Sequence, residues 1–168
     1  MLYLALLSSL VDSCKESSAL ENTLSSRLSY MDTTYDPLLD DEGFQICDED
    51  RIRRTYMFSD DVSYEAEIRR LTKYYSSGFK TAAEEVFSGY VSITFIVNCQ
   101  GKSDRFRSLT TTTEFKRSMM ASIVEDQLVQ LTKDHDKWEI LYSDGEAIDY
   151  YQNLIFIIEN GTIKDILI

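Results

Sequence analysis

The sequence predicts an α+β domain, with an antiparallel sheet of three to four strands and two helices packed on one face. Three observations carry this reading. Over residues 89–97, Val91, Ile93, Phe95 and Val97 share one parity, and Tyr90, Ser92, Thr94 and Ile96 share the other. Alternation in β-branched and aromatic residues marks a strand with a buried face. Two stretches, one on either side of this strand, carry apolar residues at helical spacing. Near the end, Ile148 to Ile158 is a long apolar run that stops at Asn160-Gly161, a hairpin turn signal.

The order of elements starts from a short apolar run. Leu2 to Val11 is interrupted only by Ser8 and Ser9. It is too short to span a bilayer but fits the h-region of a signal peptide. It ends at Val11-Asp12-Ser13-Cys14, which resembles a bacterial lipobox. Residues 1–14 are therefore expected to be a signal peptide, with Cys14 the lipidated first residue of the mature chain. The competing reading is a buried N-terminal helix.

Residues 15–60 hold eleven acidic and five basic side chains, including Asp40-Asp41-Glu42 and Asp48-Glu49-Asp50. Few apolar residues recur there with any period, so the stretch reads as an acidic leader or tether. Its carboxylates lack the spacing of a calcium loop. Within it, Arg51 to Phe58 is expected as a short strand or an extended approach to the domain.

The domain is expected over residues 61–168. Asp60 and Asp61 suit a helix N-terminus. Tyr64, Ile68, Leu71 and Tyr75 form one stripe, and Gly78 is placed to stop the helix. The central strand follows. Asn98 to Gly101 supplies a turn, and Ser103 to Thr110 returns as the second arm of a hairpin. Thr110 to Thr113 before Glu114 reads as the cap of a second helix, with Met120, Ile123, Val124, Leu128 and Leu131 on its apolar face. Asp144-Gly145 is a turn. The long strand then leads through Asn160-Gly161 to Thr162–Ile168, which can pair back on it.

Composition narrows the function. The chain has 168 residues, 43% of them apolar, enough for one core. With 17 basic and 29 acidic residues the net charge is −12, which argues against nucleic-acid binding and against adsorption to anionic lipid. The expected contact with a membrane is through the lipid anchor alone. If Cys14 carries lipid, Cys47 and Cys99 remain, either as a disulfide in an oxidising compartment or as two free thiols.

No catalytic constellation is found. His135 is the single histidine and lies in Lys133-Asp134-His135-Asp136-Lys137, a charged helix end where a solvated or C-terminal dipole role is the default. There is no nucleophile elbow, phosphate loop or zinc motif, so no enzyme, cofactor or metal is expected.

Taken jointly, Ala83, Gly89, Val91, Phe95, Val97, Asn98, Gly101, Lys102, Trp138, Gly145 and the strand Ile148–Ile158 follow a familiar order. Over residues 62–160 the chain resembles the C-terminal domain of the energy-transducing protein TonB. It departs at Phe79-Lys80-Thr81, where that family has Tyr-Pro, and at Glu139 and Ile140, where many members have Pro. The family's membrane helix and Pro-rich spacer are not read in these residues. The resemblance thus implies the fold and a periplasm-facing place in the cell envelope more than energy transduction. It also implies a partner: an extended peptide of an envelope protein or outer-membrane transporter, added as a strand. The expected edge is Tyr150, Tyr151, Gln152, Asn153, Leu154 and Ile155, unless Thr162–Ile168 folds back and occupies it. The alternative is a secreted small-ligand-binding or structural α+β domain of the cone-shaped, cystatin-like kind. A deep pocket between helix and sheet would favour it.

Overall fold

The computed structural model describes residues 31–55, 61–80, 86–118, 122–136 and 138–168. Cys14 and the expected signal peptide lie outside the described residues. In chain order the elements are β1 (Arg53–Arg54), α1 (Asp61–Gly78), β2 (Gly89–Val97), β3 (Ser103–Thr112), α2 (Ser122–Asp134), β4 (Tyr142–Ser143), β5 (Glu146–Ala147), β6 (Tyr150–Glu159) and β7 (Thr162–Leu167). The fold is α+β.

The sheet is built outward from β2. It pairs antiparallel with β3 on one side and along its whole length with β6 on the other. Every residue of β2 is buried. Val91, Ile93, Phe95 and Val97 enter the main core with Leu71 and Tyr75 of α1 and Val124 and Leu128 of α2. Both helices therefore cover the same face. On the opposite face Tyr90 stacks on Phe115 with ring centres 5.2 Å apart, beside Ile155.

The sheet differs from expectation in one respect. It has five strands and is mixed, because β1 pairs parallel with β6 at Arg53↔Tyr150 and Arg54↔Tyr151. β7 pairs antiparallel with β6 from Ile155↔Leu167 to Glu159↔Thr162. Asn160 and Gly161 have φ of 50° and 71°, as a tight hairpin turn demands. Asp144-Gly145 turns the same way between β4 and β5 (φ 53° and 82°).

Two local expectations are corrected. Thr110–Thr113 does not cap a helix. β3 runs through Thr112, and Glu114 sits in a turn where its carboxylate accepts from the hydroxyls of Thr112 and Thr113. The β-branched run prefers the strand, and α2 starts later. Ile123 is 46% exposed, because the buried stripe of α2 is Val124, Leu128 and Thr132. Ile123 is turned roughly 100° from that stripe. Gly78 ends α1 as expected, without a positive φ, and its missing side chain matters for packing: a Cβ there would lie 2.6 Å from Leu131 Cδ2.

The largest departure concerns the expected tether. Its described part, residues 31–55, forms an arm laid along the domain. The Asp40 side chain is 1% exposed and takes a two-pronged ion pair from Arg107 at 2.7 and 2.8 Å. Asn98 Nδ2 donates to Gln45 O (2.8 Å), Asp41 N donates to the Asp104 carboxylate (2.9 Å), and Cys47 is bonded to Cys99. Acidic composition suggests disorder when the charges have only water to face. Here Arg107 and Arg105 of β3 take up two of them, Asp40 and Glu49.

Candidate functional site

A sheet can bind an extended peptide only where main-chain groups of an edge strand face outward unpaired. The expected edge, β6, does not meet this condition over most of its length. β2 takes one side. On the other, β1 takes Tyr150 and Tyr151, and β7 takes Ile155 onward. The side chains are also committed inward. Tyr150 is 2% exposed and donates to Glu139 O at 2.7 Å, and burial pushes its phenol up from its ordinary pKa. Gln152, Leu154 and Ile155 are buried. Asn153 Oδ1 accepts from the hydroxyls of Ser92 (3.1 Å) and Thr94 (2.9 Å). The polar groups of Tyr150 and Asn153 are thus spent within the protein, while Tyr151 is half-buried. Flanking strands take the main-chain groups of β6, and apolar clusters lie on both of its faces.

The opposite edge is β3. Its far end is closed by the return loop: Ser118 N donates to Thr110 O (2.9 Å) and Thr112 N to Lys116 O (2.9 Å). Residues of an antiparallel strand alternate in the direction of their main-chain groups. Thr110 therefore turns its N–H and C=O away from β2, and so does Ser108. Among the described residues, no partner meets the main chain of Ser108. A positive φ at Arg105 (59°) and a register shift opposite Thr94 to Ile96 bend the near end of the strand.

A groove of about 640 Å³ runs beside this open stretch. Phe106, Ser108 and Leu109 form its floor, Val129 and Lys133 of α2 one wall, and Leu39 of the arm the other. A second hollow of about 420 Å³ shares Leu39, Phe106 and Lys133 and continues toward Lys102. Leu39 is 60% exposed, so the groove has an apolar lip. Lys133 Nζ stands 5.7 Å from the Phe106 ring centre. Glu125 holds the inner side of β3 through the hydroxyls of Ser108 (2.5 Å) and Thr110 (2.7 Å).

Two polar nodes were not legible in the sequence. Asp149 is 2% exposed. Its Oδ1 accepts from Cys47 N (3.1 Å) and Cys99 N (3.0 Å), and its Oδ2 from Asp48 N (2.7 Å). One carboxylate therefore grips both half-cystines. The available signal was a lone Asp at the head of an apolar strand. The second node is His135, expected to be solvated but 6% exposed. Arg70 Nη1 lies 3.2 Å from its Nε2, and the ring rests edge-on against Tyr74 and beside Trp138. Burial, and then the Arg70 charge, lower its pKa. Arg70 can only donate, so Nε2 accepts and the histidine is neutral.

Among the described residues, the space between helices and sheet is filled by core side chains. Tyr75, Phe95, Phe156 and Leu128 are each fully buried there. Among the described residues no helix is long and apolar enough to cross a membrane. Comparison with protein-family models, curated proteins and solved structures returns no match.

Proposed function

We propose that this chain is a cell-envelope protein-interaction domain, facing the periplasm and anchored by lipid at Cys14. It takes an extended segment of another envelope protein, of the outer-membrane transporter kind, as an added strand along β3. The observation that carries the reading is the open main chain at Ser108 beside the groove floored by Phe106. The incoming strand gains main-chain hydrogen bonds at Ser108. Its alternate side chains fall against Phe106, Val129 and Leu39, so an alternating apolar segment fits best. The Cys47–Cys99 disulfide supports an oxidising compartment. Among the described residues, the packed helix–sheet core speaks against a small-ligand cavity.

The test is selection of a displayed short-peptide library on the full chain. Enriched peptides are expected to alternate apolar and polar residues. In hydrogen exchange they are expected to slow the Ser108 amide, and methylating alternate peptide nitrogens is expected to abolish binding. Peptides that bind equally well when methylated, or that leave Ser108 unprotected, refute strand addition at β3.

A further inference from the structure

We infer that Cys47–Cys99 is a reversible thiol–disulfide exchange site, attacked at Cys47 and kept in register by Asp149. The inference stands apart from the peptide reading. It starts from unequal access: Cys47 is exposed, Cys99 is half-buried and Asp149 is buried. A pocket of about 180 Å³ opens on Cys47 between Arg51, Arg53, Ser143 and Glu146, leaving room for the chain of a small thiol. Exposed disulfides belong to the labile class, whereas structural ones in secreted domains resist reduction.

The second part of the argument is what remains when the bond opens. The three N–H groups that Asp149 accepts belong to the main chain of Cys47, Asp48 and Cys99, not to the sulfurs. Arg53 N donates to Asp149 O (2.9 Å) and Asn98 Nδ2 to Gln45 O (2.8 Å), so both arms of the bridge are pinned independently of it. The Cα atoms, 6.1 Å apart, therefore stay at bonding range in the dithiol state. The two sulfurs and one Asp149 oxygen lie within 4.8 Å of one another.

The exchange balances with thiols as the reductant. A thiolate RS⁻ attacks Cys47 Sγ, and the S–S electron pair leaves on Cys99 Sγ, which takes a proton from water. A second thiolate attacks the R sulfur of the mixed disulfide, releasing Cys47 thiolate and RSSR. Two thiols are oxidised and the protein disulfide is reduced. A small-molecule or protein disulfide drives the reverse.

Glutathione is the probe. The full chain is held in glutathione buffers of set ratio, quenched by alkylation and mapped by mass. The first adduct is expected on Cys47, and reduction is expected to outrun global unfolding measured by hydrogen exchange. The reduced protein is expected to keep its amides at Cys47, Asp48 and Cys99 protected. Asp149→Asn is expected to shift the equilibrium at least ten-fold toward the dithiol, about 30 mV for this two-electron couple. A first adduct on Cys99, reduction only at the rate of unfolding, or loss of those amide protections overturns the inference. So does an Asp149→Asn equilibrium unchanged from wild type. If that variant does not fold, the wild-type measurements decide alone.

Discussion

Asp40→Ala tests whether the acidic arm is part of the fold. The Asp40 carboxylate is 1% exposed and Arg107 is 15% exposed, and the pair meets through two hydrogen bonds. An exposed ion pair contributes about 0–1 kcal/mol. Removing one partner of a buried pair costs about 3–5 kcal/mol, because the remaining charge is left without compensation. Arg107 Nη2 also donates to Thr34 O at 2.7 Å, which softens that loss. We expect about 3 kcal/mol in urea denaturation of the full chain, with new protease cleavage within residues 31–46. The double-mutant cycle with Arg107→Ala should show a coupling of about 1–3 kcal/mol. Acid should act in the same direction. Hydrogen bonding from Arg107 lowers the Asp40 pKa, so its contribution is full above the unfolded value near 4. It is lost as pH falls through the lower folded value. A cost below about 1 kcal/mol, with no change in cleavage, refutes the reasoning and returns the arm to a tether.

Four further outcomes are expected. Phe95 is fully buried and packs on Phe106 and Trp138 at ring distances of 5.0 and 4.7 Å, so Phe95→Ala should cost about 3–5 kcal/mol in denaturant titration. A loss below about 1 kcal/mol contradicts its place in the core. Cys47→Ser with Cys99→Ser opens a loop of sequence separation 52, which chain entropy values at about 4 kcal/mol; thermal melting measures it, and unchanged stability is the contrary result. His135 has a lowered pKa in the fold, so the unfolded chain takes up its proton first, and stability should fall as pH drops below about 6.5. A His135→Gln variant should lose that pH dependence. Cys14→Ser should end incorporation of a fatty-acid analogue, and continued labelling excludes Cys14 as the anchor.

Period-two and helical patterns were legible in the sequence wherever one side of an element faces the core. The central strand, its hairpin partner, the long strand and the terminal return could all be read from side-chain alternation and turn residues. Two things had no local signal. The Asp40–Arg107 pair joins residues 67 apart, so neither residue's neighbours mark it. The grip of Asp149 on two cysteine amides spans 102 and 50 residues. Acidic density on the arm suggested disorder, because composition records charge but not the guanidinium that meets it. The start of the second helix, expected just after Thr113, was misplaced for a related reason. A Thr-Glu pair fits a cap, but the same hydroxyls serve a turn equally well, and four β-branched residues in a row favour the strand.

Edge protection then bears on function. A sheet with two bare edges invites pairing with other copies, so edges are blunted by bulges, charges, short strands or covering loops. On the β6 side, β1 and β7 do this with two and six residues. On the β3 side, the Arg105 bend, the docked arm and the loop to Arg117 do it from both ends. What stays open at Ser108 is too short to seed a continuous sheet between copies, yet long enough for a few main-chain bonds to a peptide. The same feature limits affinity. A short main-chain contact needs apolar side chains to add to it, and Phe106 with the exposed Leu39 can provide them. Leu39→Asp should therefore weaken peptide binding while leaving stability within about 0.5 kcal/mol, as expected for an exposed position. Equal loss of binding and folding would instead make Leu39 part of the arm's anchorage.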